Sequence, residues 1–208
     1  MIDYLLFDLD NTLYSSRYGL EDNVRRRIQE FSASFLGLSV EETWKQRMAA
    51  DKYGTNLEWL MAEKGFAEPE LYLAAVHPED EADTLPADPA LADFLRGLPV
   101  PKAILTNSPL EHANLILKKL GCENLFTHIF DIRLCGYTGK PHPAFFQKAL
   151  DMLAVKAANV IFIDDVPRYA EGFLALGGQS LLLDENDEYA DYPHPRIRRL
   201  EELKDFLR

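Results

Sequence analysis

The stretch Tyr4-Leu5-Leu6-Phe7-Asp8-Leu9-Asp10-Asn11-Thr12 joins a short apolar run to two acidic residues. Four apolar residues are too few for a helix, and polar side chains follow at once, so we predict a buried strand that ends before Asp8. An apolar run without alternation is typical of a strand that is covered on both faces. The stretch therefore indicates a mainly parallel sheet, with Asp8 and Asp10 at the end of one of its strands.

Similar apolar runs recur along the chain and predict further strands. They lie at residues 103–105, 160–163 and 180–183, with an additional candidate at 129–132. Apolar spacing of three and four residues predicts helices between them. These helical patterns cover residues 56–64, 89–95, 110–120 and 144–153.

The predicted elements are distributed unevenly. Residues 15–89 contain helical patterns and no convincing strand, whereas strands and helices alternate after residue 89. Alternation of this kind is typical of a Rossmann-like, doubly wound parallel α/β sheet. We therefore predict an α/β core formed by residues 1–14 and 90–208, with a helical cap, residues 15–89, inserted after the first strand.

The composition narrows the classes of partner. The 208 residues are 47% apolar and carry a formal net charge of −12. Such an acidic chain is poorly suited to bind nucleic acid polymers or anionic membranes, because both require clustered Lys and Arg. The sequence has no apolar stretch of about 18 residues and no signal peptide pattern, so we expect a cytoplasmic protein without a membrane segment. The sequence leaves the oligomeric state open.

Four groups of polar residues lie at or beside the predicted strand ends. They are Asp8 and Asp10, Thr106 and Asn107, Lys140 within Gly139-Lys140-Pro141, and Asp164 and Asp165. Ligands of open parallel sheets bind at the carboxyl ends of the strands, so these side chains should converge. Converging carboxylates repel each other unless a cation lies among them, and hard oxygen ligands favour Mg²⁺. A lysine and a threonine hydroxyl can bind the oxygens of a phosphate group.

Each of these groups is weak evidence by itself, but together they resemble the haloacid dehalogenase superfamily. The first motif of that superfamily, Asp-x-Asp-x-Thr, is matched by Asp8, Asp10 and Thr12. The second, third and fourth motifs are matched by Thr106, by Lys140 and by the pair Asp164 and Asp165. The resemblance covers essentially the whole chain, and the helical insertion lies where the superfamily carries its cap.

The resemblance implies a role for each residue. Asp8 would attack phosphorus and form an aspartyl phosphate, while Asp10 would act as general acid and base. Mg²⁺ would be held by Asp8, by the backbone carbonyl of Asp10 and by Asp165, with Asp164 one shell further out. The phosphoryl group would be bound by Thr106, Asn107 and Lys140. Superfamily dehalogenases lack the second aspartate, so Asp10 favours phosphoryl transfer over dehalogenation.

Parts of the cap resemble the pyrimidine 5′-nucleotidase branch of the superfamily. The segment Tyr53-Gly54-Thr55-Asn56-Leu57 is similar to that branch's Tyr-Gly-Thr-Thr-Leu, which makes Tyr53 and Asn56 candidate specificity residues. The branch usually has serine and asparagine where this chain has Val166 and Tyr169. These two departures indicate either altered support of the metal site or a divergent substrate.

The resemblance implies hydrolysis of a small-molecule phosphomonoester, namely a pyrimidine nucleoside 5′-monophosphate. Three alternatives stay open. They are a phosphatase of small sugar phosphates or phosphoglycolate, a phosphomutase, and a non-catalytic binding protein that keeps the fold.

Overall fold

A single parallel sheet forms the centre of the molecule. The computed structural model describes residues 1–207. Its strands are β1 (Tyr4–Phe7), β2 (Lys102–Leu105), β3 (Ile129–Phe130), β4 (Val160–Asp164), β5 (Gln179–Leu183) and β6 (Arg196–Ile197). They lie in the order β3-β2-β1-β4-β5-β6, and every neighbouring pair is parallel. The prediction of a doubly wound parallel α/β sheet is confirmed.

Helices connect and cover the strands. The α-helices of residues 1–207 are α1 (Leu20–Leu36), α2 (Val40–Ala49), α3 (Asn56–Lys64), α4 (Pro69–Val76), α5 (Pro89–Arg96), α6 (Leu110–Leu120), α7 (Pro143–Leu153) and α8 (Pro167–Leu174). Short 3₁₀ helices occur at Ser16–Tyr18, Ile132–Cys135, Ala157–Asn159 and Leu200–Phe206. Within this described part, no helix is both long enough and apolar enough to span a bilayer.

The sheet is buried on both faces, as its continuous apolar strands predict. Side chains alternate across a strand, so Leu5 and Phe7 of β1 join one apolar cluster while Tyr4 and Leu6 join another. All four residues of β1 are buried. The central strand β1 therefore places Asp8, which follows it directly, at a rigid position in the middle of the sheet edge.

Helices α1 to α4 lie in the chain between β1 and α5, and most of their buried apolar residues form a cluster separate from those of the sheet. The members of this cluster include Leu57, Trp59, Leu60, Phe66, Tyr72, Leu73 and Val76, with Ile132 beside them. The exact division into a cap of residues 15–89 and a core of the remaining chain stays a prediction.

The structure differs from the predicted strands at the two edges of the sheet. Strand β3 ends at Phe130, because Asp131 instead caps the following 3₁₀ helix and accepts a hydrogen bond from the backbone N–H of Arg133 at 3.2 Å. Strand β6 was not predicted, since it is two residues long, follows a proline and contains the charged Arg196. Both edges lie away from β1 and β4.

Candidate active site

The polar groups predicted at the strand ends meet around one cavity. This cavity of about 470 Å³ lies between the sheet edge and helices α1 to α4, and its lining includes Asp8, Asp10, Thr106, Asn107, Lys140 and Asp165. Asp164 ends β4 and is fully buried. The convergence follows from the parallel order of β2, β1 and β4, whose carboxyl ends share one edge.

Lys140 is a buried ammonium group between two carboxylates. Its Nζ lies 2.7 Å from Oδ1 of Asp8 and 2.6 Å from Oδ2 of Asp164, and the lysine is only 1% exposed. Burial by itself lowers the pKa of Lys140, but Asp164 and Asp8 together hold this pKa above its ordinary value. Lys140 is therefore a permanent positive charge in direct contact with Asp8.

The carboxylates of Asp8, Asp164 and Asp165 form a cluster that can hold a metal ion. One oxygen from each lies within 4.8 Å of the others. Burial, followed by the neighbouring carboxylates of Asp164 and Asp8, raises the pKa of Asp165 to about 9. Burial also raises the pKa of Asp8, with Lys140 opposing it. Three carboxylates, two of them buried and one half-buried, against one lysine leave excess negative charge, which a divalent cation with a preference for oxygen ligands would neutralise.

Thr106 and Asn107 follow β2 on the other side of Asp8. The Thr106 hydroxyl accepts a hydrogen bond from the backbone N–H of Ser108 at 3.0 Å. The Asn107 side chain holds the backbone of Lys140, because its Oδ1 accepts from the Lys140 N–H at 2.7 Å and its Nδ2 donates to the Lys140 carbonyl at 3.1 Å. A β-carbon at Gly139 would lie 2.1 Å from Asn107 Oδ1, so this close approach requires glycine. In this structure, Asn107 positions the Lys140 loop.

Three side chains hold the Asp10 carboxylate. Its Oδ1 accepts from the Tyr14 hydroxyl at 2.6 Å and from Nε2 of His112 at 2.6 Å, and its Oδ2 accepts from the Ser108 hydroxyl at 2.7 Å. Burial tends to raise the pKa of Asp10, but His112 and the hydroxyl donors lower it below the ordinary value. The side chain of Asp10 keeps 22% of its surface exposed, so it is both fixed and accessible from the cavity.

Behind Asp10, His112 joins a buried ionic chain that reaches α1. Its Nδ1 contacts Glu81 Oε1, and Glu81 in turn accepts from Arg27 at 2.9 Å. Burial by itself lowers the pKa of His112, but the carboxylates of Asp10 and Glu81 raise this pKa to about 10. With carboxylates at both ring nitrogens, the ring is an imidazolium at neutral pH. The side chains of His77, Glu81 and His112 could also group around a metal, but Arg27 already pairs with this Glu81.

Four residues around Asp10 were not predicted from the sequence: Tyr14, Ser108, His112 and Glu81. Tyr14 and Ser108 lie within two residues of predicted site positions, which is a weak local signal that could have been followed. His112 lies in the first turn of α6, and Glu81 lies in the segment between α4 and α5, where no motif marks it. Only the contact of His112 with Asp10, and that of Glu81 with His112, identify these two residues.

His112→Gln is expected to destabilise the protein most at low pH. The folded pKa of about 10 lies above the ordinary 6.5, so the imidazolium contributes stability fully below pH 6.5 and loses it as pH rises through 10. We expect a loss of about 3 kcal/mol at pH 6, typical of a buried ion pair deprived of one partner, and a clearly smaller loss at pH 10. Urea unfolding at both pH values measures the difference.

The matched control for this experiment is the exposed His194, whose replacement by glutamine should change stability by less than about 0.5 kcal/mol at either pH. His77 also faces His112, with ring centres 4.6 Å apart, and burial lowers the pKa of His77, which favours its neutral form. An equal loss of stability at both pH values in His112→Gln would show that packing, and not charge, is what His112 provides.

The two candidate specificity residues of the cap lie in different surroundings. Asn56 is buried and lines the cavity; its Nδ2 donates to Ser32 at 2.9 Å, while its Oδ1 has no hydrogen-bond partner among the described residues. Tyr53 is not part of the lining, and its hydroxyl donates to Glu63 at 3.0 Å. The geometry thus brings Asn56, and not the Tyr53 side chain, to the wall of the cavity.

Val166 and Tyr169 lie beside the carboxylate cluster. The backbone N–H of Val166 donates to Asp164 Oδ1 at 2.8 Å, a contact that needs no particular side chain. The ring of Tyr169 lies 5.0 Å from the Lys140 ammonium, and its hydroxyl donates to the Gly54 carbonyl at 3.5 Å. The tyrosine thus adds an aromatic face beside the lysine and a contact with the cap.

Comparison with known proteins agrees with this geometry. A family model described as haloacid dehalogenase-like hydrolase matches residues 2–177. A curated relative, glyceraldehyde 3-phosphate phosphatase of Methanocaldococcus jannaschii, is 26% identical to this chain. The alignment, 227 residues long, covers 100% of this chain and 98% of the relative.

Solved structures show the same fold. A haloacid dehalogenase-like protein of Agrobacterium tumefaciens has a TM-score of 0.65 at 18% identity and covers 100% of this chain and 98% of its own. A HAD phosphatase from Thermococcus onnurineus has a TM-score of 0.64 at 17% identity, covering 99% and 98%. An L-2-haloacid dehalogenase of Xanthobacter autotrophicus has a TM-score of 0.63 at 15% identity, covering 100% and 98%. Since the family model covers most of the sequence, this chain belongs to the haloacid dehalogenase-like hydrolases.

Proposed function

We propose that this hydrolase is a Mg²⁺-dependent phosphatase that cleaves small phosphomonoesters through an aspartyl phosphate on Asp8. The observation that carries the proposal is the position of Asp8 at the end of the central strand, facing the cavity and 2.7 Å from the Lys140 ammonium. A carboxylate held next to a fixed cation can attack phosphorus while the cation compensates the charge of the phosphoryl oxygens.

The remaining side chains fit the steps of such a reaction. Asp10 lies in the same cavity and is held by Tyr14, Ser108 and His112, so it is oriented to exchange a proton with a leaving alcohol or an attacking water. Thr106 offers a hydroxyl at the cavity wall, and Asn107 sets the position of Lys140. The presence of Asp10 favours phosphoryl transfer over dehalogenation.

The donor set fits Mg²⁺. Asp8 and Asp165 supply carboxylate oxygens, the backbone carbonyl of Asp10 would supply another, and Asp164, which already binds Lys140, would support the site from behind. When bound, Mg²⁺ stabilises negative charge on the phosphoryl group. The raised pKa values of Asp8 and Asp165 support this role, because the cluster is electrostatically incomplete without a further cation.

Two substrate classes are proposed as candidates. Pyrimidine nucleoside 5′-monophosphates are favoured by the resemblance of residues 53–57 to the nucleotidase branch and by the aromatic side chains Trp44 and Tyr72 in the cavity wall. Small sugar or three-carbon phosphates are favoured by the relative named glyceraldehyde 3-phosphate phosphatase. The intact Asp8, Asp10 and Lys140 argue against a protein that keeps the fold without activity.

A substrate panel tests the proposal. With Mg²⁺ we expect hydrolysis of p-nitrophenyl phosphate that EDTA abolishes and added Mg²⁺ restores, because the carboxylate cluster needs a cation. Catalytic efficiency is then compared for UMP, CMP, AMP, glyceraldehyde 3-phosphate, phosphoglycolate and hexose phosphates. Absence of phosphate release from every compound would refute the phosphatase proposal, and nucleotides no better than the other esters would refute the nucleotidase candidate.

A further inference from the structure

Two arginine side chains from different elements are anchored on one cap segment, residues 50–54. Arg47, at the end of α2, donates from Nη1 to the Ala50 carbonyl at 3.0 Å and from Nη2 to the Tyr53 carbonyl at 3.1 Å. Arg168, in α8, donates from Nη2 to the Gly54 carbonyl at 2.5 Å. The two arginines thus bind carbonyl groups of consecutive residues, the charge of Arg168 acts on Arg47, and both side chains line the cavity that contains Asp8.

Neither arginine is in direct contact with a carboxylate of the described residues, although the more distant charges of Glu58 and Asp164 act on Arg47 and Arg168 respectively. In residues 1–207, no carboxylate lies within ion-pair distance of Arg47 or Arg168, although the chain has 34 acidic residues. Arg47 is buried, and burial together with the nearby charge of Arg168 lowers its pKa. Arg168 is exposed, so solvent screens part of its repulsion with the buried Arg47, and an anion bound to both guanidinium groups would relieve the remainder.

The arginine pair lies close to the phosphate site. Lys140 Nζ and Arg168 Cζ are each 5.0 Å from the centre of the same Tyr169 ring, so the two cations cannot be farther apart than twice that distance. The cap segment also packs directly on the lysine loop, because a β-carbon at Gly54 would lie 2.6 Å from the Lys140 carbonyl oxygen. A molecule of three or four carbon atoms can span the interval between Lys140 and Arg168.

We propose that Arg47 and Arg168 bind a carboxylate of the substrate while its phosphate group lies at Lys140 and Asp8. A guanidinium group offers parallel N–H donors that match the two oxygens of a carboxylate. The Arg168 side chain makes its hydrogen bonds through Nη2. Within residues 1–207, its Nε and Nη1 have no hydrogen-bond partner, so they are available to a ligand. The substrate class is thus a short phosphorylated carboxylic acid. This assignment rests on the phosphatase activity proposed above, and it favours the small phosphate esters over the nucleotides as substrates.

A matched pair of esters tests this proposal. 3-Phosphoglycerate and glycerol 3-phosphate have the same length. The first ends in a carboxylate, and the second has a hydroxymethyl group at that position. We expect kcat/KM to favour 3-phosphoglycerate, and Arg168→Gln to reduce this preference about 10- to 100-fold, the effect of losing a hydrogen bond between charged groups. Arg26→Gln, on the exposed side of α1 and paired with Glu30, is the control and should leave the preference unchanged.

Binding provides a measurement that does not depend on turnover. The inhibition constant of 3-phosphonopropionate against p-nitrophenyl phosphate hydrolysis should be at least about tenfold lower than that of propylphosphonate. Arg168→Lys and Arg47→Lys should each reduce that difference, because a lysine ammonium lacks the paired N–H donors of a guanidinium group. Equal inhibition by both phosphonates, or a preference that survives Arg168→Gln in a folded variant, would overturn the arginine site while leaving the phosphatase intact. Failure of every ester and of p-nitrophenyl phosphate would instead refute the phosphatase itself.

Discussion

Asp8→Asn is expected to reduce phosphatase activity on the order of 10⁴-fold or more, because the amide cannot attack phosphorus and the neighbouring Asp10 and Asp164 are not free to replace it. Asp8 follows the central strand β1 and contacts Lys140, whereas Asp164 is buried beneath and Asp10 is engaged by three donors. Release of inorganic phosphate from p-nitrophenyl phosphate with saturating Mg²⁺ measures the loss.

The same variant should fold at least as well as the natural protein without metal. Burial raises the pKa of Asp8 above its ordinary 3.8, so its ionised form is unfavourable in the folded state at neutral pH, and a neutral asparagine removes that cost. The thermal midpoint in EDTA should therefore stay constant or rise. The control is Asp191→Asn at an exposed position, which should change neither activity nor stability. More than a tenth of the natural activity in folded Asp8→Asn would refute the nucleophile assignment.

Lys140→Met is expected to remove activity and to destabilise the protein by about 3–5 kcal/mol, or roughly 10 °C in the thermal midpoint. Methionine fills similar space, so the loss comes from charge: Asp8 and Asp164 would stay buried with no cation between them. Thermal unfolding in EDTA measures the stability. Phosphate release measures the activity, which should fall because the phosphoryl oxygens lose their fixed cation.

Addition of Mg²⁺ separates the electrostatic explanation from a packing defect. With Lys140 replaced, the carboxylates of Asp8, Asp164 and Asp165 carry more uncompensated charge, so Mg²⁺ should raise the thermal midpoint of the variant more than that of the natural protein. Lys156→Met, at an exposed lysine, serves as the control and should respond to Mg²⁺ like the natural protein. An equal response in Lys140→Met would contradict the electrostatic account.

Much of the fold could be predicted from local patterns. The apolar run at residues 4–7 predicts a strand buried on both faces, and β1 contributes alternate residues to two separate clusters. The stop of α6 at Gly121 was also predictable, because this residue adopts a φ of 75° that glycine tolerates. The short edge strand β6 was not predictable, since its two residues are stabilised by pairing with β5 and not by their own pattern.

The sequence by itself determined which residues follow the strands, and parallel strands bring their carboxyl ends to one edge. That is sufficient to place Asp8, Thr106 and Asp165 at one cavity. Only the tertiary structure decided what surrounds them. His112 meets Asp10 across 102 residues of chain, and Arg168 meets the Gly54 carbonyl across 114. Contacts between such distant residues depend on how the helices pack over the sheet, and no local periodicity encodes that packing.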